Sequence, residues 1–244
     1  MKQAAFTLTE NEAMTGRFSR LRLEGDASGI LCPGQFVSLS LPGFFLRRPF
    51  SVCDWDENGF SLIVELAGKG TRQLRALKPG AVLDVLTGLG NGFDLSRAGD
   101  SPLLVGGGSG VSPLLGLARR LLARGCAPQL ILGFNTREDL ILIDEFFRMG
   151  LAPSITTVDG SFGLRGFVTE AMTLPHSFFY ACGPEAMLRA VSEKSPADGQ
   201  LSFDARMGCG FGACMGCTKL TAEGPQRVCR EGPVFDKGVL LWAD

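Results

Sequence analysis

Apolar and polar positions alternate with a period of two through the first hundred residues. Phe18-Ser19-Arg20-Leu21-Arg22-Leu23, Phe36-Val37-Ser38-Leu39-Ser40-Leu41 and the stretch from Phe60 to Leu66 read as strands with one buried face. Pro33-Gly34, Pro42-Gly43 and Pro79-Gly80 punctuate them as turns. Residues 1–98 are therefore expected to form a small β-barrel or sandwich. The pattern changes near residue 100. Leu103-Leu104-Val105 predicts a short buried strand, and Leu114, Leu117, Ala118, Leu121 and Leu122 share one helical face that Gly125 ends. Strands at Gln129–Phe134, Ile155–Val158 and Phe178–Ala181, with a helix over Glu138–Met149, complete an alternation of β and α elements. That alternation predicts a doubly wound parallel sheet over residues 99–197. Residues 198–244 are too few for much of a core, and a bound group is expected to organise them. The apolar run Gly238–Trp242 reads as a core strand, with a subunit contact as the alternative.

Composition narrows the classes. A net charge of −1 offers no basic balance for nucleic acid or an anionic membrane. No apolar run reaches the length of a membrane span. Met1 to Glu10 lacks both a basic n-region and a long apolar run, so a cytoplasmic protein is expected. The one histidine, His176, follows Pro175 in an expected surface loop. That leaves little room for histidine-rich metal sites or a Ser-His-Asp triad.

Cysteine supplies the sharpest chemistry. Cys209-x4-Cys214-x2-Cys217, then eleven residues, then Cys229 is the plant-type [2Fe–2S] ligand spacing. Gly208, Gly210, Gly212 and Gly216 would let the backbone turn tightly around an anionic cluster and aim N–H groups at its sulfurs. The competing reading is structural zinc in a binding module without redox function, but zinc favours paired C-x2-C knuckles and only one such pair is present. Cys32, Cys53 and Cys126 are scattered and read as structural.

Three weaker signals accompany the cysteines. Gly106, Gly107, Gly108 and Gly110 follow a strand and precede a helix, where backbone amides can hold a pyrophosphate. The full dinucleotide fingerprint would want a small residue at 111, where Val111 stands, so a plain tight turn competes. Cys182-Gly183-Pro184 closes another strand at the end where open α/β sheets bind ligands, although a small buried residue is the ordinary role of such a cysteine. In the β region, Arg48-Pro49-Phe50-Ser51 offers a guanidinium for phosphate beside an aromatic ring and a hydroxyl, and Gly68-Lys69-Gly70-Thr71 offers a second phosphate cradle or a hairpin turn. The acidic ribose-binding residue expected about 20 residues past the glycine-rich loop is missing. Asn135 and Arg137 lie there instead, and Arg137 could suit a 2′-phosphate.

Together these segments resemble the ferredoxin–NADP reductase superfamily. Arg47-Arg48-Pro49, Gly90-Asn91-Gly92-Phe93-Asp94-Leu95, Val105-Gly106-Gly107-Gly108 and Arg227-Val228-Cys229 with Glu231-Gly232-Pro233-Val234-Phe235 look like the electron-transfer subunits of NAD-dependent (class 1B) dihydroorotate dehydrogenases. The resemblance implies an FAD-binding β-barrel at 1–98, an NAD-binding α/β domain at 99–197 and a [2Fe–2S] module at 198–244. It implies FAD contacts at Arg48, Pro49, Phe50 and Ser51, at Ile63, Val64 and Glu65, and at Gly70 and Thr71. Glu65 departs from the basic or neutral residue expected there, and Phe50 from an aliphatic residue or tyrosine. It implies cluster ligands at Cys209, Cys214, Cys217 and Cys229, and Cys182 near the nicotinamide. No side chain is expected to serve as an essential acid or base. The implied partner is an FMN-containing catalytic subunit that oxidises dihydroorotate, in a heterotetramer with two of each chain. The alternative is a flavin/iron–sulfur subunit of another NAD(P)H-linked complex, such as sulfide dehydrogenase, ferredoxin:NADP reductase or sulfite reductase.

Overall fold

A computed structural model describes residues 1–242. The alternating segments pair as antiparallel strands. These are β1 (Lys2–Ala13), β2 (Phe18–Glu24), β3 (Phe36–Leu39), β4 (Arg48–Ser51), β5 (Asp54–Asp56), β6 (Gly59–Glu65) and β7 (Val82–Leu89). Their order is β4-β3-β7-β1-β2-β6-β5, and the sheet curls until β4 approaches β6. Phe6, Leu8, Leu21, Leu23, Val37, Leu39, Leu62 and Val85 fill the interior. β1 is the longest strand, yet the sequence hides it: only Phe6 and Leu8 of its twelve residues are buried. One helix, α1 (Lys69–Ala76), interrupts the β region, so Gly68–Thr71 opens a helix and is not a hairpin turn.

The second sheet contains β8 (Leu103–Gly107), β9 (Gln129–Phe134), β10 (Ser154–Thr157), β11 (Leu164–Arg165), β12 (Phe179–Cys182) and β13 (Gly199–Ser202), all parallel. α2 (Ser112–Ala123) follows β8, α3 (Ile143–Arg148) follows β9, and α4 (Glu185–Lys194) follows β12. β8 is buried along its whole length, as a strand covered on both faces must be. The helix expected over 138–149 is shorter. A 3₁₀ turn at Arg137–Asp139 comes first, and Leu142 adopts a left-handed φ of 62° before α3 begins. The break turns Ile141 and Leu142 into the core, each 2% exposed.

The sheet does not stop at residue 197. β13 extends it, and a strand from near the C-terminus, Val234–Asp236, pairs antiparallel with β13. Between them lies the cysteine segment with a small hairpin, β14 (Thr218–Thr221) and β15 (Gly224–Arg227); the strand at 234–236 is β16. The boundary expected at 197/198 therefore cuts through one continuous sheet. The run at 238–242 is not a core strand: it forms a 3₁₀ turn at Lys237–Val239 and a single bridge between Thr221 and Leu240.

The two sheets are locked together where α2 meets β5. The Gly116 N–H donates to the Cys53 carbonyl at 2.9 Å, and a β-carbon at Gly116 would lie 2.8 Å from that oxygen. Arg120 stacks 3.3 Å over the Trp55 ring while Asp54 accepts from Arg119 and Arg120 at 2.8 and 3.0 Å. Arg17 adds a bond to Asp139 at 3.1 Å, and Arg20 pairs with Glu145.

Candidate functional site

On the barrel, two motifs distant in sequence meet. A β-carbon at Gly70 would come within 3.2 Å of Arg48 Nε, so the guanidinium lies against the first turn of α1. Arg48 is held there by the Phe44 ring, 4.6 Å away, and by donating to the Leu46 carbonyl at 2.8 Å. The Gly68 N–H donates to Thr71 Oγ1 at 3.1 Å, which orders the turn while other first-turn amides keep no helical partner. A guanidinium beside a helix N-terminus suits a phosphate. Pro49, Phe50 and Ser51 lie on β4, half-buried, opposite Ser38, Val37 and Phe36 of β3. Ile63 and Val64 are buried on β6, and the Glu65 carboxylate accepts from Arg17 at 2.6 Å. Arg47, next to Arg48, does different work: it bonds the Asp84 carbonyl at 3.0 Å and the Asp84 carboxylate at 2.6 Å, gripping β7.

In the parallel sheet, the glycine-rich turn and the Cys182 turn interlock. β8 and β12 are neighbours, and the chain leaves them to opposite sides, which makes their C-terminal ends the topological switch point. A β-carbon at Gly110 would lie 2.2 Å from the Cys182 carbonyl oxygen and 2.6 Å from the Gly183 nitrogen. One at Gly107 would lie 2.5 Å from Met187 Sδ and 3.3 Å from Pro184. Gly106 packs against Leu114 and Val111, and Gly108 has a φ of 55° with open space beyond it. Gly110 thus makes the close approach between the two turns, and Val111 is core, fully buried. Burial pushes the Cys182 thiol up to about 12, with the Ser202 hydroxyl opposing it. Cys182 is thus a neutral, shape-filling group rather than a nucleophile.

The four cysteines of the C-terminal segment fall into two pairs. Cys209 N–H donates to Cys214 Sγ at 3.4 Å, and Ala213 N–H and Cys214 N–H donate to Cys209 Sγ at 3.2 and 3.4 Å. Cys229 N–H donates to Cys217 Sγ at 3.4 Å. Cys217 and Cys229 are buried and Cys214 is exposed. Among the described residues no three His, Cys, Asp or Glu side chains converge as the shell of a single ion. Four thiols arranged as two pairs fit the four-thiolate ligand set of a two-iron cluster. Burial opposes ionisation of Cys209, yet N–H groups of Cys214, Phe211 and Ala213 prevail and bring its thiol down to about 6. Burial, then the neighbouring Cys217, pushes Cys229 up to about 12. Gly210 and Gly212 turn through φ values of 78° and 93°, and the Arg227 guanidinium fixes the loop by donating to the Gly212 carbonyl at 2.6 Å.

The cysteine loop is not isolated. A β-carbon at Gly210 would lie 3.7 Å from Ser38 Oγ, and Ser38 is the β3 partner of Pro49. Cys217, Val228 and Cys229 pack in one apolar cluster with Phe36 of the barrel and Phe203 of the nucleotide sheet. Asn91 stitches the same junction and carried no functional signal in the sequence beyond its motif. His176 joins none of these groups; its Nε2 lies 2.8 Å from Ser195 Oγ.

Residues 204–241 match the model of the iron–sulfur cluster binding domain of dihydroorotate dehydrogenase B, and residues 104–193 match an oxidoreductase NAD-binding domain. The chain is 39% identical over 256 residues to the dihydroorotate dehydrogenase B (NAD(+)) electron transfer subunit of Geobacillus sp. (strain WCH70), covering 99% of each. Among solved structures it is similar to an NADH-dependent reduced ferredoxin–NADP oxidoreductase studied for flavin-based electron bifurcation, with a TM-score of 0.86 and 28% identity over 97% of this chain and 90% of that one. A ferredoxin–NADP+ reductase from Neisseria gonorrhoeae with bound FAD and NADP shares the fold at a TM-score of 0.69 and 17% identity, over 80% of this chain and 90% of that one.

Proposed function

Because the chain belongs to the electron-transfer subunits of NAD-dependent dihydroorotate dehydrogenase B, we propose how its residues divide that work. The chain is an oxidoreductase subunit of pyrimidine biosynthesis that passes electrons to NAD+, with FAD and an iron–sulfur cluster as its cofactors. When bound, these groups supply the interchange between single electrons and a hydride.

The chain's own side chains hold, orient and insulate. Arg48 and the first turn of α1, with Gly70 and Thr71, take the FAD phosphates. Pro49, Phe50, Ser51, Ile63, Val64 and the Glu65 backbone line the rest of the flavin site, with the Ser51 hydroxyl toward the reactive edge. The Glu65 carboxylate stays with Arg17 and leaves phosphate binding to Arg48. Gly106, Gly107, Gly108 and Gly110 cradle the NAD pyrophosphate, and Cys182, Gly183 and Pro184 bound the nicotinamide. Cys209, Cys214, Cys217 and Cys229 would hold the iron–sulfur cluster through their four thiolates. The functional divisions remain a barrel to about residue 98, a nucleotide domain, and a cluster module, with β13 and β16 shared between the last two.

The observation that carries this reading is the contact of the cysteine loop with the strand pair bearing the flavin motif, Gly210 against Ser38 opposite Pro49. It sets cluster and flavin motifs side by side in one chain. The name of the family implies a catalytic partner. We take that partner to be an FMN-containing dihydroorotate dehydrogenase subunit, two of each chain in a heterotetramer, working in the cytoplasm. Among the described residues no helix is long and apolar enough to cross a membrane. The similarity to the ferredoxin–NADP oxidoreductase subunit favours one second reading, a subunit whose electrons come from another donor. Mixing the purified holoprotein with the catalytic subunit separates the two. Dihydroorotate-dependent reduction of NAD+ supports the first reading, and its absence with an intact flavin and cluster spectrum favours the second.

A further inference from the structure

The strand that carries the flavin motif runs directly into the residue that grips the nucleotide domain. Ser51 ends β4 and Asp54 begins β5, and between them Val52 and Cys53 are each 1% exposed. Val52 N–H donates to the Gln35 carbonyl at 3.0 Å and Cys53 N–H to the Ser61 carbonyl at 2.9 Å, so this link belongs to the barrel. The Cys53 carbonyl serves the other domain, accepting from Gly116 N–H in the middle of α2. Asp54 adds a second grip one helical turn further on. One carboxylate oxygen accepts from Arg119 Nε at 2.8 Å and the other from Arg120 Nη1 at 3.0 Å. The Asp54 side chain is only 18% exposed, so solvent screens these bonds less than those of a surface pair. Arg120 is held in turn: Nη1 donates to the Gly116 carbonyl at 3.0 Å, Nη2 donates to the Trp55 carbonyl at 3.3 Å, and the guanidinium stacks on the Trp55 ring.

Two contacts on one helix fix an angle as well as a distance. Gly116 is the pivot, and Asp54 holds the arm of α2 on its C-terminal side. On the other side Gly110 lies about 9 Å away at the rise of a helix. Gly110 is wedged against the Cys182 carbonyl, so the glycine-rich turn, α2 and the Cys182 turn must swing as one body. Rocking α2 about Gly116 therefore moves the groups that bound the nicotinamide relative to Ser51 and the flavin edge. The Arg20–Glu145 pair also joins barrel to nucleotide sheet, but it ends on α3, which carries no glycine-rich turn.

We propose that Asp54 is a positioning residue for hydride transfer: by fixing the angle of α2 against β5 it sets how the nicotinamide meets the flavin. The inference rests on the flavin and nucleotide sites assigned above. It concerns one step, in which a hydride, two electrons with one proton, passes between nicotinamide and flavin; NADH is oxidised to NAD+ as the flavin is reduced, or the reverse. Asp54 acts on this step through α2. A misplacement of about 1 Å between reacting groups is enough to cost a rate up to about a hundredfold, while the surfaces that bind each ligand stay intact.

Asp54→Asn tests this, because it keeps an oxygen for the Trp55 amide, which Asp54 Oδ1 accepts at 3.0 Å, while withdrawing the charge that holds two guanidiniums. Anaerobic stopped-flow mixing of the holoprotein with NADH reads binding and transfer separately. At saturating NADH the rate of flavin bleaching is expected to fall about tenfold, with the Kd for NADH within about twofold of wild type. The long-wavelength absorbance that reports nicotinamide stacked on flavin should weaken, a signature that a merely structural role would not move. Arg20→Ala, which breaks the other ion pair, should leave both rate and absorbance near wild type. If Asp54→Asn loses its FAD, Arg119→Ala decides in its place: its side chain is 59% exposed, and its loss should lower the bleaching rate in the same direction. An unchanged rate and absorbance in the flavin-loaded variant, or an equal fall in Arg20→Ala, overturns the role of Asp54. A wild type whose flavin NADH does not bleach overturns the sites on which the inference rests.

Discussion

Asn91 and Val234 hold each other by both ends: Asn91 Nδ2 donates to the Val234 carbonyl at 2.7 Å, and Val234 N–H donates to Asn91 Oδ1 at 2.9 Å. Nδ2 also reaches the Glu231 carbonyl at 2.8 Å, and the Asn91 amide donates to the Gly232 carbonyl at 2.7 Å. The segment after β7 is thereby stitched to the segment after the fourth cysteine, a joint between two motifs 140 residues apart. Asn91→Ala removes the side-chain bonds and leaves the buried Val234 amide unpaired. A loss of about 1–3 kcal/mol is expected. Urea unfolding of the holoprotein checks it, and an unchanged midpoint would show the joint to be redundant.

That joint marks the limit of what the chain reveals unaided. The period-two stretches, the buried β8 and the apolar face of α2 were legible because each carries its own local periodicity. β1 was not, because its long polar face leaves two buried residues to signal twelve. The cysteine spacing was legible because four identical rare residues keep their meaning wherever the chain puts them. The twin arginines were read as one motif, although Arg47 grips β7 and only Arg48 faces the helix turn.

Gly110→Ala should damage nucleotide binding more than flavin binding. The new β-carbon would fall 2.2 Å from the Cys182 carbonyl oxygen, and both partners are backbone, so neither turn can yield without moving its strand. The expected result is a rise of about tenfold or more in the dissociation constant for NADH, with FAD content unchanged. Titration of flavin-loaded protein with NADH reads both. Wild-type affinity would mean that the two turns separate freely.

Cys182 should behave as a neutral thiol. Burial holds it protonated up to about pH 12, so the fraction of thiolate stays negligible from pH 7 to 9. Iodoacetamide is expected to leave Cys182 unmodified across that range in folded holoprotein, as peptide mass mapping would show. Turnover of NADH with ferricyanide should show no inflection that Cys182→Ala abolishes. Rapid alkylation at pH 8, or loss of an inflection in the variant, would give the thiol a chemical role that its surroundings argue against.

Cys229→Ser should separate the two redox halves of the chain. Cys229 is 2% exposed and its amide supports Cys217, so a hydroxyl there removes a thiolate ligand from a site solvent cannot easily complete. The cluster is expected to be lost. The flavin motif stands on β4, β6 and α1, none of which contains a cysteine of the quartet, and Val228 and Phe235 still pack against Phe36 and Phe203. The barrel should therefore keep FAD, and NADH should still reduce ferricyanide within about twofold of the wild-type rate. Transfer between the catalytic subunit and NAD+ should fall to background, because the single-electron station between them is gone. Iron analysis, the visible spectrum and the two assays measure each part independently. If FAD leaves together with the iron, the cluster module and the barrel fold as one unit, and the contact of Gly210 with Ser38 is structural before it is electronic.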